Sequence, residues 1–342
     1  MRALVLDSPA PVSRRPLRLV HLVDPSPGPG ELLLEVAACA VCRTDLQLAV
    51  GDIPAHRTPV VPGHQAVGRV AAVGSGVTGW SIGDRAGAYW LFGACGECRF
   101  CRSGRENLCL SAEFTGWDRD GGFAERMVVR ADTAVRIPAG FDDLDAAPLL
   151  CGGVIGYRAL RVSGIRPGGR LGLYGFGASA LLCIQVARHW GCEVHVRARG
   201  ADDRRLAEAM GAATVGAIDD PVPHPLDAAV TTAPAGQVVV AALKAVDRGG
   251  IVAINAIHLD RVPELPYELL WHERQLRSVA NVTRADAAEF MALAAEIPIR
   301  TATELYPLDA GNEALAAVES GSVRGAAVLT MGPRPGGAAP AG

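Results

Sequence analysis

Seven cysteine and histidine side chains in this sequence have the types and spacing of metal ligands. Cys42 and His64 lie in segments of mostly small, apolar or hydroxylated residues, and a third soft ligand, Cys151, follows far downstream in PLLCGGVIGY. Two thiolates and one imidazole from distant parts of a chain fit a zinc ion with an open fourth position. An open position is typical of a catalytic site, because water or a substrate oxygen fills it. On these three residues alone, two small buried cysteines and a loop histidine explain the pattern equally well.

The other four ligands lie in one short stretch, GACGECRFCRSGRENLC. They have the spacing C-x2-C-x2-C-x7-C and are Cys95, Cys98, Cys101 and Cys109. Four thiolates close a tetrahedral shell and leave no position for a substrate, so this spacing predicts a structural zinc. An iron–sulfur cluster also uses four cysteines, but the last gap departs from the bacterial ferredoxin spacing with its following proline. Unmetallated thiols are the remaining alternative.

A third stretch, RLGLYGFGASALLCIQVARHWGCEVHVRARG, has the order strand, glycine turn, helix and strand. Its turn has the pattern G-x-G-x-x-A and consists of Gly175, Phe176, Gly177, Ala178, Ser179 and Ala180. Gly175 makes the turn, Gly177 lets the backbone approach a pyrophosphate, and Ala180 lets helix and strand pack closely. The helix N-terminus favours the diphosphate because its amides are unpaired. This stretch therefore predicts a dinucleotide-binding unit.

Composition and charge limit the class of protein. The chain has 342 residues, of which 49% are hydrophobic and 40 are glycine, which is typical of an α/β enzyme with about two domains. A net charge of −3 gives no electrostatic footprint for nucleic acid. No run of about 18 apolar residues exists and the N-terminus lacks a long apolar region, so we expect a cytoplasmic enzyme without a membrane span. The nine cysteines cluster as metal ligands do, not as disulfides of a small secreted chain.

The hydrophobic pattern changes once along the chain. Residues 1–38 and 67–89 alternate short apolar runs with proline and glycine, which predicts antiparallel strands in a barrel-like domain. From Gly152 onward helical and strand patterns alternate, which predicts a doubly wound parallel sheet. The last part, a helix over Asp286–Ile297, a second over Ala310–Ser320 and a strand over Ala326–Thr330, is expected to return to the first domain.

These motifs together resemble one family. CRTD, GHQAVGRV, the four-cysteine stretch, PLLCGGVIGYRAL and GLYGFGASA, in this order and at these spacings, are similar to the zinc-dependent medium-chain alcohol dehydrogenases over roughly residues 1–330. The resemblance implies a GroES-like β-barrel catalytic domain at 1–152 and 282–342, with a structural zinc lobe at 93–110, and an inserted Rossmann domain at 153–281. It also implies an active site in the cleft between them. Two Zn²⁺ per chain are expected, a catalytic ion on Cys42, His64 and Cys151 and a structural ion on the four-cysteine stretch.

The resemblance implies a reaction, the reversible oxidation of an alcohol. Zinc polarises the substrate oxygen and hydride passes between the substrate carbon and a nicotinamide. Thr44 matches a hydroxyl that bonds the substrate oxygen, with a helix N-cap as its alternative role, and Asp45 matches a carboxylate that orients His64. Gln47 stands where many members have a proton-relaying histidine, and it cannot titrate near neutral pH. Gln65 stands where members commonly have Glu, and loss of that carboxylate makes the zinc more electrophilic. Neutral drift is the alternative explanation for both glutamines.

The end of the second strand of the dinucleotide unit indicates the cofactor. An NAD enzyme usually carries Asp or Glu there, about 20 residues after the glycine turn, to bond the ribose 2′-OH. This chain has Val196-Arg197-Ala198-Arg199-Gly200, with Ala198 at the acidic position. A missing carboxylate beside guanidinium groups favours a 2′-phosphate, which predicts NADP(H) over NAD(H). Surface arginines on a turn are the alternative.

Four more residues take a role only from the resemblance. Arg43 and Arg324 match positions that contact the cofactor phosphates, and each could equally form a surface ion pair. Trp90 and Leu91 fall where the family lines its substrate pocket, which suggests an apolar small-molecule substrate, although Trp90 could simply belong to the core. Relatives are homodimers or homotetramers, so a homo-oligomer is expected. Two other hypotheses are a reductase of an activated C=C or C=N bond, which the Gln47 change permits, and a zinc-holding NADPH-binding protein without activity.

Overall fold

The computed structural model describes residues 1–256, 259–323 and 325–332. The chain divides into two compact units, of which unit 1 consists of Met1–Cys151, Thr283–Ala295 and Arg300–Gly342. Unit 2 consists of Gly152–Val282 and Glu296–Ile299. The expected boundaries, after residues 152 and 281, each differ from this division by one residue, and Glu296–Ile299, expected in the first domain, falls in unit 2.

Unit 1 begins as a series of β-strands. In chain order its first elements are β1 (Arg2–Leu6), β2 (Leu17–His21), β3 (Glu31–Val41), α1 (Arg43–Val50), β4 (Ala66–Val73), β5 (Arg85–Ala88), β6 (Leu91–Gly93), β7 (Glu113–Phe114), β8 (Arg126–Arg130), β9 (Val135–Arg136) and α2 (Asp143–Ala146).

Helices and strands alternate in unit 2 before the chain returns to unit 1. The elements of unit 2 are α3 (Gly152–Ser163), β10 (Arg170–Tyr174), α4 (Ala178–His189), β11 (Glu193–Arg197), α5 (Ala201–Ala209), β12 (Thr214–Gly216), β13 (Leu226–Thr231), α6 (Gly236–Ala245), β14 (Val246–Ile254) and β15 (Gln275–Ser278). The returning part contains α7 (Arg284–Glu296), β16 (Thr303–Pro307), α8 (Gly311–Ser320) and β17 (Ala326–Thr330).

The main sheet of unit 1 has seven strands around β3. Its order is β16-β17-β3-β4-β5-β9, and β8 pairs with another part of β3. β3 can serve several partners because it is long and because its register with β4 shifts twice, at irregularities of the β-bulge kind. Its apolar side chains, with those of β1, β8 and α8, form one buried core. The path of the described strands does not close on itself, so the expected barrel is an open sheet, while the GroES-like fold class is confirmed.

Unit 2 has the expected doubly wound topology. Its six-stranded sheet has the order β12-β11-β10-β13-β14-β15, and all neighbours are parallel. All residues of β10 and β13 except Arg170 and Asp227 are buried, because helices cover both sides of a parallel sheet. The strand order reverses next to β10, and the glycine turn follows β10 directly. In the part of the chain that the structure describes, no helix has the length and apolar character needed to span a bilayer.

Candidate functional site

Cys42 lies at the junction between β3 and α1. β3 ends at Val41, and Cys42 has extended backbone angles and forms the N-cap of α1. The carboxylate of Asp45, in the first turn of α1, accepts the backbone N–H of Cys42 at 2.7 Å. The thiol of Cys42 therefore lies at a helix N-terminus, where unpaired amides favour a thiolate. Thr44 is not the N-cap of this helix, so its alternative role does not apply.

The carboxylate of Asp45 also fixes His64. Asp45 is 3% exposed, and its Oδ1 accepts the backbone N–H of Gly63 at 3.1 Å and lies 3.2 Å from Nδ1 of His64. This hydrogen bond puts the proton on Nδ1 and leaves Nε2 as a ligand atom. Gly63 has φ +94°, and a Cβ there would lie 2.4 Å from the ring of Phe123. Only glycine therefore permits this placement of His64.

Cys151 completes a three-residue ligand set within unit 1. It follows a buried 3₁₀ turn, Ala147–Leu150, and its Sγ lies 3.9 Å from Sγ of Cys42. The donor atoms of Cys42, His64 and Cys151 all lie within 4.8 Å of one another. Two sulfurs on one tetrahedral zinc, each at about 2.3 Å, are about 3.8 Å apart. The donor set therefore fits zinc without movement of the sulfur atoms.

The pKa values of these ligands indicate which protons a metal must displace. The hydrogen bond from Cys151, with that from His64, holds the pKa of Cys42 well below its usual value. The Cys42 sulfur, together with burial, raises the pKa of Cys151 well above its usual value. Burial opposes a charge on His64, but Asp45 and the Cys42 sulfur together raise the pKa of His64 to about 10. In the absence of metal these shifts favour the thiolate of Cys42, the thiol of Cys151 and the protonated imidazole of His64.

The four-cysteine stretch forms a second cluster. Sγ of Cys95 lies 3.8 Å from that of Cys101 and 3.5 Å from that of Cys109, and the sulfurs of Cys98 and Cys101 are 3.5 Å apart. All four sulfurs lie within 4.8 Å of one another. Backbone N–H groups of Cys98 and Glu97 lower the pKa of Cys95 to about 6. Four converging sulfurs with amides directed at them fit a closed tetrahedral zinc site.

The polar residues predicted beside the catalytic ligands take distinct positions. Oγ1 of Thr44 lies 3.8 Å from Sγ of Cys42, and Thr44 is 4% exposed. Gln47 is half-buried on α1. Gln65 is 5% exposed, and its amide nitrogen donates to the carbonyl of Ala40 at 3.4 Å. Both glutamines lie close to the ligands in sequence, and neither can gain or lose a proton near neutral pH.

The glycine turn leads from β10 to the N-terminus of α4. Gly175 has φ +92°, and a Cβ there would lie 2.7 Å from Oγ1 of Thr232 and 2.9 Å from the backbone N of Ala233. At Gly177, the N-cap of α4, a Cβ would meet no atom within 4 Å. Open space at a helix N-terminus is what a diphosphate requires. The four other turn residues differ in exposure: Phe176 and Ala180 are buried, Ser179 is half-buried and Ala178 is exposed.

Arg197, which the sequence placed among the cofactor-binding residues, makes its contacts within unit 2. Arg197 is 2% exposed, so its guanidinium is withdrawn from solvent. It donates to the carbonyl oxygens of Asp220 at 3.0 Å, Pro221 at 2.5 Å and Val196 at 2.9 Å, and to Oγ1 of Thr214 at 3.3 Å. A guanidinium has five N–H donors, and all three nitrogens of this one donate to three carbonyl oxygens and one hydroxyl at the end of the sheet. Arg197 therefore stabilises the connection around β12.

The neighbouring residues differ from Arg197. Ala198 is 1% exposed, whereas Arg199 is exposed. Nη1 of Arg204 donates to the carbonyl oxygens of Ala198 and Arg199 at 2.8 Å each, which places a second guanidinium beside this loop. Arg43 is exposed. Arg324 lies outside the described residues.

The two predicted pocket residues, Trp90 and Leu91, differ in exposure. Trp90 is half-buried, and its ring contacts that of His64 edge-on at 4.8 Å. Leu91 is 1% exposed within β6, and its place in a substrate pocket stays a prediction. Sequence reasoning missed Phe114 and Trp117, whose rings lie 5.2 and 5.5 Å from that of Trp90. The sequence signal that could have identified them is the aromatic pair in EFTGWDRDG, shortly after the four-cysteine stretch.

Comparison with known proteins gives a consistent result. Residues 28–139 match the family described as the alcohol dehydrogenase GroES-like domain. The chain is 49% identical over 337 residues to the probable alcohol dehydrogenase AdhA of Mycobacterium tuberculosis, with 97% of each protein covered. It is 34% identical over 347 residues to an alcohol dehydrogenase of Geobacillus stearothermophilus, covering 97% of this chain and all (100%) of that protein. Among solved structures, a thermostable alcohol dehydrogenase from Pyrobaculum aerophilum is similar, with a TM-score of 0.87, 27% identity, and 97% and 99% of the two chains covered.

Proposed function

This chain belongs to the zinc-dependent medium-chain alcohol dehydrogenase family and is an NAD(P)-dependent oxidoreductase, and we propose that it interconverts an alcohol and its aldehyde or ketone with NADP(H). The observation that carries the proposal is the convergence of Cys42, His64 and Cys151 to within 4.8 Å. Two sulfurs and one imidazole leave a tetrahedral ion one position short, and that position suits the substrate oxygen. The four-cysteine cluster holds a second, structural zinc, which makes two ions per chain.

Each residue at the catalytic site has a role in this proposal. Zinc, when bound, supplies a Lewis acid for the substrate oxygen. Asp45 keeps the proton of His64 on Nδ1 and so fixes the ring. The hydroxyl of Thr44 exchanges the proton of the substrate oxygen, which its place beside Cys42 supports. Gln47 cannot titrate, so the proton continues to solvent through water, and Gln65 leaves the site without the negative charge that a glutamate would add.

The cofactor preference rests on unit 2. The open space at Gly177 supports a diphosphate at the N-terminus of α4. The missing carboxylate at Ala198 and the exposed guanidinium of Arg199 support a 2′-phosphate, and Arg204 adds positive charge to the same loop. NADP(H) is therefore the preferred cofactor, although Arg197 takes no part in the choice.

The reductase of an activated C=C or C=N bond is not favoured. Thr44 remains beside the ligand set, and the relatives are named alcohol dehydrogenases. We further propose that the protein is cytoplasmic and forms a homodimer or homotetramer. Light scattering of the purified protein tests the oligomeric state.

A cofactor-by-substrate screen tests the proposed function. Purified protein is assayed with NADPH and NADH against small aldehydes, ketones, enals and cyclic imines, before and after zinc removal with a chelator. We expect aldehyde or ketone reduction with kcat/KM at least about tenfold higher for NADPH, lost on chelation and restored by Zn²⁺. Reduction confined to enals or imines, a preference for NADH, or activity that survives complete zinc removal contradicts the corresponding part of the proposal.

A further inference from the structure

A line of aromatic rings leads from the ligand His64 to the surface of unit 1. His64 contacts Trp90 edge-on at 4.8 Å, and Trp90 lies 5.5 Å from Trp117. Phe114 lies beside both indoles, stacked on Trp90 at 5.2 Å and 5.9 Å from Trp117. The ring of His56 stacks on Trp117 at 3.9 Å, with an interplanar angle of 18°. We name the set Trp90, Phe114 and Trp117 the aromatic wall.

Hydrogen bonds hold the aromatic wall in place. The indole N–H of Trp117 donates to the carbonyl of Pro54 at 2.8 Å, which fixes the orientation of its ring. The backbone N–H of Thr115 donates to the carbonyl of Trp90 at 2.9 Å, so the segments that carry the three rings are tied together. His56, stacked on Trp117, is itself held by Asp118 at 2.7 Å. Rings fixed in advance lose little conformational entropy when a ligand packs against them.

The aromatic wall is only partly buried, although it begins at a ligand residue. His64 is 1% exposed, but Trp90, Phe114 and Trp117 are each only half-buried. Adjacent apolar rings that remain accessible beside a polar site are typical of a ligand-binding surface. Aromatic faces prefer offset-stacked or edge-on partners, so a planar ring fits this surface better than a puckered ring of equal size.

We propose that the aromatic wall selects benzylic substrates, in which the alcohol or carbonyl carbon is attached to an aromatic ring. The inference rests on the proposed function and goes beyond it by naming the substrate class. With zinc held by Cys42, His64 and Cys151, the oxygen of such a substrate would be directed to the ligand set while its ring packs on Trp90 and Trp117. In the reducing direction the aldehyde, NADPH and a proton give the benzylic alcohol and NADP⁺.

The test uses a matched pair of ligands, benzyl alcohol and cyclohexylmethanol. They have the same carbon skeleton, but the saturated ring is at least as apolar, so burial of apolar area alone favours cyclohexylmethanol or neither. Dissociation constants are measured on the zinc-loaded protein by ligand-observed NMR titration. We expect benzyl alcohol to bind about threefold to tenfold more tightly, the factor that one aromatic pair contributes. Equal binding, or tighter binding of cyclohexylmethanol, overturns the inference.

Variants locate the preference. Trp117→Leu, which leaves the contact between Trp90 and His64 in place, is expected to reduce the ratio of the two constants to below about twofold. Trp117→Phe is expected to keep most of it, which separates an aromatic requirement from a general loss of packing. Trp271→Leu, an exposed tryptophan of unit 2, is the control and leaves the ratio unchanged. If Trp117→Leu leaves the ratio of the two dissociation constants unchanged, the preference for benzyl alcohol does not come from the aromatic wall and the inference is overturned.

Kinetics separate this inference from the proposed function. Benzaldehyde, cyclohexanecarbaldehyde and butanal are assayed with NADPH on the same proteins. Turnover of all three with no aromatic preference in binding leaves the proposed function standing and removes the inference. Tighter binding of benzyl alcohol that depends on Trp117, without reduction of any aldehyde, supports the inference about ring recognition and contradicts the proposed function.

Discussion

At the scale of single residues, one carboxylate organises the ligand set of Cys42, His64 and Cys151. Asp45 receives hydrogen bonds from the backbone of Cys42 and Gly63 and from the ring of His64. Because Asp45 binds both the segment that carries Cys42 and the segment that carries His64, these two ligands keep their positions relative to each other. The sequence suggested Asp45 through the family resemblance, but the two backbone bonds follow only from the fold.

We predict that Asp45→Asn weakens zinc binding at this site about tenfold to a hundredfold. The amide can accept one of these bonds, but it lacks the charge that orients the imidazole and stabilises its Nδ1–H. Zinc affinity is measured by competition with a chelating indicator. Asp52→Asn, at an exposed position after α1, is the control. Unchanged affinity in Asp45→Asn would show that the carboxylate is dispensable.

Two neighbouring arginines show what sequence alone can and cannot resolve. The run Arg197-Ala198-Arg199 indicated a positively charged loop, and Arg199 is exposed as a phosphate ligand requires. Arg197 could not be distinguished from it, because its partners Asp220 and Pro221 reach it only through the parallel sheet. A buried guanidinium satisfied by carbonyl oxygens has no local sequence signal.

We predict that Arg199→Ala lowers kcat/KM for NADPH about tenfold and changes kcat/KM for NADH by less than about twofold. The variant loses one charge-assisted hydrogen bond to the 2′-phosphate, and NADH has no such group. Steady-state kinetics with both cofactors measure the change. Arg248→Ala, at an exposed position in β14, is the control. Equal losses with both cofactors would mean that Arg199 does not read the 2′-phosphate.

At the scale of elements, the four-cysteine stretch is attached to the start of α7. Glu106, between the third and fourth cysteines, is 3% exposed, and its Oε1 accepts the backbone N–H of Arg284 at 2.7 Å and Nε at 3.3 Å. Asp286 caps the same helix start through the backbone N–H and hydroxyl of Thr283. Burial and the nearby Glu106 carboxylate raise the pKa of Tyr89 well above its usual value. The stretch therefore belongs to the packed structure of unit 1.

We predict that Glu106→Ala lowers the free energy of unfolding by about 1–3 kcal/mol, because it leaves the backbone N–H of Arg284 at a helix N-terminus without its acceptor. The Arg284 guanidinium loses one of its two carboxylate partners and keeps Asp132. Urea denaturation of the zinc-loaded protein measures the loss. Glu97→Ala, an exposed glutamate in the same stretch, is expected to change stability by less than about 0.5 kcal/mol. Similar effects of the two substitutions would contradict this assignment.

The elements themselves were largely predictable, and the exceptions have physical causes. β17 has the expected bounds, and the glycine turn lies between a strand and a helix as expected. α4 begins at Ala178, inside the predicted glycine turn, because the small residues of its first turn give no apolar signal for a helix. The attachment of Glu106 to Arg284 joins residues 178 positions apart and has no local pattern.

At the scale of the whole molecule, the ligand set competes with protons for its metal. The pKa of His64 is raised to about 10 and that of Cys151 is raised well above its usual value, so both groups are protonated at neutral pH in the absence of metal. Zinc binds the deprotonated forms, so binding releases these protons. A raised pKa favours the protonated state below it, and metal affinity therefore increases as the pH rises toward that pKa.

We predict that the logarithm of the zinc association constant of this site increases by about two per pH unit between pH 6 and 8, since about two protons are displaced. Competition with a chelator of known pH dependence measures the constant. Proton release in weakly buffered solution is the independent check. An affinity that does not vary with pH would contradict the protonation states inferred for His64 and Cys151.

The two-unit organisation was also largely predictable from sequence. The change from strand patterns to alternating helices and strands located the first boundary to within one residue of the division at Cys151. The open path of the seven-stranded sheet was not predictable, because closure depends on pairing between strands distant in sequence. The aromatic wall was missed for the same reason, since Trp90 and Trp117 meet only through the pairing of β6 with β7.

The metal content of the wild type and of Cys151→Ala tests the central claim most directly. Inductively coupled plasma mass spectrometry on proteins of verified fold, with parallel assays of aldehyde reduction by NADPH, gives both readouts. We predict two zinc ions per wild-type chain, and one ion with kcat/KM lower by a factor of about a thousand or more in Cys151→Ala. A variant that keeps two zinc ions and its activity would show that Cys42, His64 and Cys151 do not form the catalytic zinc site.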